Sequence, residues 1–214
     1  MRHADIDLHI LRLLLLLALT GLALVGVAMA RIEAQPRPVW TPPPPDFELR
    51  LSADGRALHF SGVVDFGLTT ALRGLVAEHP EMRRMVLDSQ GGYIAEARGV
   101  VSVLRVHGID THVEGDCASA CVLIFVGGRN RTLAQSARLG LHGYRLRAGQ
   151  HLGMIDPVAE MQRDLAIFRA QSVSESFVTK LSALPQNPIW YPDHAELRAA
   201  GVITANPVYR GRAP

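Results

Sequence analysis

Between residues 13 and 30 the chain runs for 18 residues without a charge. Fifteen of them are Ala, Val, Leu or Met, the others being Thr20, Gly21 and Gly26. At about 1.5 Å per residue, such a run makes a helix of roughly 27 Å, close to the thickness of a bilayer's hydrocarbon core. So uniform a run has no polar face to turn to water, and its length at a chain terminus argues against the bland alternative of a buried core helix. Arg2 and Arg12 precede it, with Asp5 and Asp7 between them. It ends in Ala28-Met29-Ala30, the small-x-small pattern of a signal-peptidase site. Residues 1–30 therefore read as a cleaved export signal or as a retained N-terminal membrane anchor. The length favours the anchor, because the apolar part of a signal is typically about 7–15 residues. Either reading places the rest of the chain on the extracytoplasmic side, membrane-anchored or secreted.

Residues 31–46 hold six of the thirteen prolines: Pro36, Pro38 and Pro42 through Pro45. Four consecutive prolines favour an extended, stiff polyproline II spacer. That leaves residues 47–210 for one folded domain and 211–214 as a tail. The 214-residue chain carries 22 Lys plus Arg against 20 Asp plus Glu, a net charge of +2. This balance excludes a nucleic-acid binder that works through a broad basic surface. Hydrophobic residues at 48% and charged residues at 20% exclude a disordered chain or a collagen-like fibre. Two cysteines exclude a four-cysteine zinc site. The nine histidines show no metal-ligand spacing, so no metal is assigned and no cofactor is expected.

Within 47–210 strand-like and helix-like segments alternate. Residues 47–52 and 58–64 pattern as a hairpin around Asp54-Gly55. Residues 68–78 show helical spacing at Leu68, Leu72 and Val76. Residues 84–89 are a short buried strand, and Gly91-Gly92 break the chain before a helix over 94–107. A strand at 110–113, an apolar helix at 118–126 and a strand at 137–142 follow. Residues 157–184 read as one long amphipathic helix with Pro157 in its first turn. A short helix at 195–200 closes the domain. The alternation predicts an α/β fold with a mostly parallel sheet.

Three stretches supply different parts of an acyl-transfer site. In Leu87-Asp88-Ser89-Gln90-Gly91-Gly92-Tyr93, paired glycines permit positive φ and let backbone N–H groups approach a developing oxyanion. In Gly115-Asp116-Cys117-Ala118-Ser119-Ala120-Cys121, Ser119 stands between two alanines where an apolar helix opens. Its hydroxyl is reachable there, although a serine in that place is also an ordinary helix cap. In Leu139-Gly140-Leu141-His142-Gly143-Tyr144, a strand delivers His142, whose plain alternative is a hydrogen-bonded structural histidine.

In this order and spacing the three stretches resemble the ClpP/crotonase superfamily, and within it the ClpP-type serine peptidases and their exported bacterial relatives. The similarity covers roughly residues 57–205. Gly128-Arg129-Asn130-Arg131 and the closing Glu196-Leu197-x-x-x-Gly201-Val202-Ile203 add to it. The resemblance implies a ClpP/crotonase-like domain with Ser119 as nucleophile and His142 as general base. Gly91 or Gly92, with the N–H of Ala120, would form the oxyanion hole. The substrate would be an extended peptide or protein segment held partly by main-chain hydrogen bonds. It also implies assembly into a homo-oligomer, with 157–184 as the interface, and the N-terminal segment points to the periplasm or a similar extracytoplasmic space.

The sequence departs from that pattern twice. The position expected to carry an aspartate falls near Ile189, which leaves Asp193 or Asn187 as third members of a triad. A Ser–Lys dyad would have only Lys180 to draw on. The second departure is the pair Cys117 and Cys121 around Ser119. Outside the cytoplasm they are candidates for a disulfide, and they are equally readable as two small buried apolar residues. Two other functions remain on the same scaffold. One is a non-catalytic peptide- or protein-binding module. The other is an acyl-CoA enzyme, which needs a cytoplasmic cofactor and so conflicts with export.

Overall fold

The computed structural model describes residues 8–34, 44–144 and 156–204. The core of the expected spacer, at 35–43, and the 211–214 tail lie outside the described residues. The chain divides into two units, Met1–Pro43 and Pro44–Pro214. The first holds one helix, α1 (Leu8–Ala34), which is wider than the uncharged run at its centre. Its stretch His9–Arg31 is long and apolar enough to cross a membrane.

The second unit begins with the antiparallel hairpin β1 (Phe47–Leu51) and β2 (Ala57–Gly62). Its turn closes on side chains. Ser52 Oγ donates to Asp54 Oδ1 at 2.7 Å and accepts from the N–H of Ala57 at 2.9 Å. Gly55 supplies the left-handed residue the turn requires, with φ of 70°. Parallel strands then alternate with helices: α2 (Leu68–Glu78), β3 (Arg84–Ser89), α3 (Ile94–His107), β4 (Asp110–Ala118), α4 (Ala120–Gly127), β5 (Arg131–Leu133) and β6 (Arg138–Gly140). The sheet order is β1-β2-β3-β4-β5, with β6 also on β4. The expected α/β class with a mostly parallel sheet is what the chain adopts. Helix α2 buries Leu68, Leu72 and Val76, a stripe at spacing four. Helix α4 is buried on every side, which matches its unbroken apolar sequence.

Three boundaries differ from the sequence reading. Strand β4 continues past residue 113 to Ala118, because its two halves have separate partners. Thr111–Val113 pair with β5, and Asp116–Ala118 pair with β6. A register shift between Leu87 and Ser89 on β3 accompanies this change of partner. Strand β5 has no counterpart in the sequence reading, since three residues are too few to show a period. The single helix expected over 157–184 is two, α5 (Pro157–Ala170) and α6 (Glu175–Ser182). The break is driven from outside the helix. Buried Arg131 donates to the Gln171 carbonyl at 3.2 Å, Gln171 Nε2 donates to Gly127 O at 3.0 Å, and Ser172 turns to φ of 60°. The chain closes with α7 (His194–Ala199), whose first turn is capped by the Asp193 carboxylate.

Arg131 is 2% exposed, and among the described residues its guanidinium meets only backbone carbonyls, those of Val202, Gly128, Gln171 and Gly201. Burial pulls its pKa down to about 10. It pins the closing Gly201-Val202 segment, whose Val202 and Ile203 complete the core beside Leu197.

Candidate active site

Ser119 joins β4 to α4 in a conformation that L-residues rarely adopt, with φ of 56° and ψ of −124°. Such backbone costs about 1–3 kcal/mol and persists only where its surroundings impose it. Three surroundings do so. The N–H of Ser119 donates to Gly140 O of β6 at 2.8 Å. Cys117 and Cys121 are joined in a disulfide across it, with Cα atoms 5.3 Å apart and both residues fully buried. Gly91 packs directly on the elbow: a Cβ there would stand 2.7 Å from both Ala118 O and Ser119 Cβ. Ser119 makes no capping hydrogen bond with its side chain, so its hydroxyl is not occupied as an ordinary helix cap.

The glycine loop turns with φ of 97° at Gly91 and 154° at Gly92. The two N–H groups have different fates. Gly91 donates to Ser89 Oγ at 3.1 Å. Gly92 has no such acceptor, and neither has Ala120 at the first position of α4; among the described residues neither N–H makes a hydrogen bond. Of the three oxyanion-hole positions expected, Gly92 and Ala120 thus carry uncommitted donors, while Gly91 shapes the loop and packs against the elbow.

His142 lies just past β6. Its Nδ1 is 2.7 Å from the carbonyl oxygen of Gly143. A carbonyl only accepts, so Nδ1 carries a proton, and in the neutral form of such a ring Nε2 holds the lone pair. The flanking backbone is clamped to the segment after α6. Leu141 and Trp190 exchange two hydrogen bonds of 2.8 Å, and the N–H of Gly143 donates to Pro185 O at 2.8 Å.

Ser119, His142, Gly92 and Ala120 all line one cleft of about 420 Å³. Its walls are mainly apolar, with Tyr93, Ile94, Leu123, Met161 and Phe168 among them, and Phe66 stacks on Tyr93 with ring centres 4.3 Å apart. No hydrogen bond joins Ser119 Oγ to His142 among the described residues. Catalytic hydrogen bonds are often long in unliganded sites and tighten with substrate.

Two residues are expected as third members of a triad, and neither is hydrogen-bonded to His142 among the described residues. Asp193 Oδ1 accepts from the N–H of Glu196 at 2.7 Å, which commits it to capping α7. Asn187 precedes the cis peptide to Pro188. Lys180 pairs with Glu196 at 2.7 Å, lies 4.0 Å over the Trp190 ring, and is not among the cleft residues. No cluster of three or more metal-ligating side chains occurs among the described residues.

Sequence reasoning missed a charged cluster on the cleft wall. Arg98 of α3 forks onto Asp164 of α5, with Nε to Oδ1 at 2.5 Å and Nη2 to Oδ2 at 2.9 Å, and it also pairs with Glu160. The Tyr144 hydroxyl donates to Asp164 Oδ2. Burial, and then the Asp164 charge, push the phenol well above its ordinary range, so it stays a neutral donor. The available signal was an aspartate inside the apolar stripe Met161, Leu165, Phe168, where a surface residue would not be expected.

A search of solved structures matches the chain to a point mutant of ClpP1 from Listeria monocytogenes, with a TM-score of 0.57 and 14% identity over 72% of this chain and 91% of that one. The fold is ClpP-like. No protein-family model and no curated protein sequence matches the chain. At that identity the ClpP likeness describes the scaffold, and the chemistry rests on the residues above.

Proposed function

We propose that this domain is an extracytoplasmic serine hydrolase of the peptidase type. The observation that carries the reading is the strained Ser119 elbow sharing a cleft with His142 and with two N–H groups, those of Gly92 and Ala120; among the described residues neither these N–H groups nor His142 Nε2 makes a hydrogen bond. In the proposed reaction Nε2 of His142 takes the Oγ proton as Ser119 attacks a substrate carbonyl carbon. The N–H groups of Gly92 and Ala120 hold the resulting oxyanion. The C–N bond then breaks, His142 gives its proton to the leaving amine, and water releases the acyl group by the same route. A mainly apolar cleft suits a polypeptide with a bulky apolar side chain next to the scissile bond.

Helix α1 serves in this proposal as export signal or membrane anchor. The Cys117–Cys121 disulfide is consistent with an oxidising compartment. Self-association follows only by analogy with the scaffold, and a light-scattering mass of the purified chain tests it. The test of the chemistry is fluorophosphonate labelling of the full chain, compared with Ser119→Ala and His142→Ala. Labelling that needs both residues supports the hydrolase.

A second reading, a peptide- or protein-binding module, draws on one observation: among the described residues no side-chain carboxylate is hydrogen-bonded to His142. Folded wild-type protein that never labels would favour it.

A further inference from the structure

A base whose Nδ1–H rests on a backbone carbonyl is oriented only as well as that carbonyl is. Here the carbonyl belongs to Gly143, the most conformationally free residue type. Its direction is therefore set by its two sides. On one side the N–H of Gly143 is tied to Pro185 O, and a Cβ at Gly143 would collide with the Leu184 carbonyl. On the other side is Tyr144, whose hydroxyl reaches Asp164.

Asp164 is 2% exposed and lies on the cleft wall, yet it belongs to no part of the proposed chemistry. Both its oxygens are used, one by Arg98 and the other by Arg98 and Tyr144 together. A buried ion pair contributes little net stability against apolar residues of the same size, so its presence asks for a geometric reason. The geometry supplies one. Arg98 stands in the second turn of α3, the helix that opens just after Gly91-Gly92. Tyr144 stands two residues after His142. The cluster thus ties the helix carrying the oxyanion loop to the segment carrying the base.

We infer that Asp164, acting through Tyr144 and held by Arg98, is the positioning residue for His142. It aligns the Gly143 carbonyl and so performs from a distance what a triad carboxylate does on the ring itself. The kinetic arm of the test rests on the hydrolase reading; the spectroscopic arm does not.

The experiment uses the full chain in detergent micelles with 15N-labelled histidine. A His142→Gln difference spectrum identifies the ring, which should show a single Nδ1–H tautomer in the wild type. Tyr144→Phe keeps the ring and removes only the hydroxyl. It should introduce a second tautomer and slow inactivation by saturating fluorophosphonate about tenfold, with the half-saturating concentration changed less than about twofold. Asp164→Asn should act in the same direction, and the double variant should be no worse than the worse single one. An unchanged His142 tautomer in Tyr144→Phe overturns the inference, whatever happens to labelling, because the cluster then only pins the fold. A changed tautomer in a protein whose wild type never labels supports the inference and removes the hydrolase reading.

Discussion

Ser119 and His142 face the same cleft, but the chain holds them by different means. Ser119 is fixed by covalent and backbone constraints that act directly on the residue: a disulfide two residues to either side, a glycine pressed on its Cβ, and a hydrogen bond from its own N–H to β6. His142 is fixed by distant parts of the chain, through the Leu141–Trp190 exchange, the Pro185 carbonyl and the Tyr144–Asp164–Arg98 cluster. Local constraints tolerate little change at few positions. Dispersed constraints tolerate more, since each contributes a part. The elbow should therefore fail abruptly when altered, and the histidine side by degrees.

The largest break should come from Gly91→Ala. The added methyl meets Ala118 O and Ser119 Cβ at 2.7 Å, and the residue must keep a φ of 97°. Strain and overpacking together should cost about 3 kcal/mol or more. Thermal unfolding should show a clear drop in Tm, and labelling of Ser119 should vanish. A variant with wild-type Tm and labelling would refute the claim that the glycine loop braces the elbow.

Next in size is removal of the disulfide by Cys117→Ala with Cys121→Ala. Closing a loop this short corresponds to about 2 kcal/mol in the chain-entropy account. The outcome that sharpens the comparison is its locality. Labelling should fall while the histidine resonances of His142 stay in place. Equal disturbance of both would mean that the two regions are one unit.

The same contrast explains what could be read from the sequence. The elbow, the glycine pair and Cys117 and Cys121 lie within short stretches, so local rules bring them into view. The apolar stripe of α2 was visible for the same reason. The partners of His142 come from residues 164, 185 and 190, and no local pattern connects them to it. The α5–α6 break was hidden likewise, because buried Arg131 on a distant strand captures the Gln171 carbonyl. Asp193 lies four residues past the place expected for an orienting carboxylate, and its Oδ1 caps the first turn of α7.

Asp193→Ala separates those two roles at moderate cost. Loss of an N-cap should destabilise by about 1 kcal/mol and leave the labelling rate of the folded protein within about twofold. A fall of about ten-thousandfold, the scale seen when a triad carboxylate is removed, would instead return Asp193 to the site.

The smallest effect should come from acid, and it falls on the elbow side. His112 sits on β4, is 7% exposed, and its Nδ1 is 2.7 Å from Thr132 Oγ1 of β5. Burial, the dominant influence, lowers its pKa below the ordinary histidine value, against a smaller opposing pull from Glu114; Arg84 lowers it further. The unfolded chain therefore takes up this proton at a higher pH than the folded one. Stability from His112 is complete above the unfolded value near pH 6.5, falls as the pH drops below it, and levels off below the depressed folded value. Tm measured from about pH 7.5 to about pH 5 should decline, and His112→Asn should flatten that decline. Because β4 carries Ser119 at its end, labelling lost in acid should recover fully on return to neutral pH if the strand merely loosens. A pH slope unchanged by His112→Asn would assign the acid sensitivity to other groups and leave β4 as firm in acid as at neutrality.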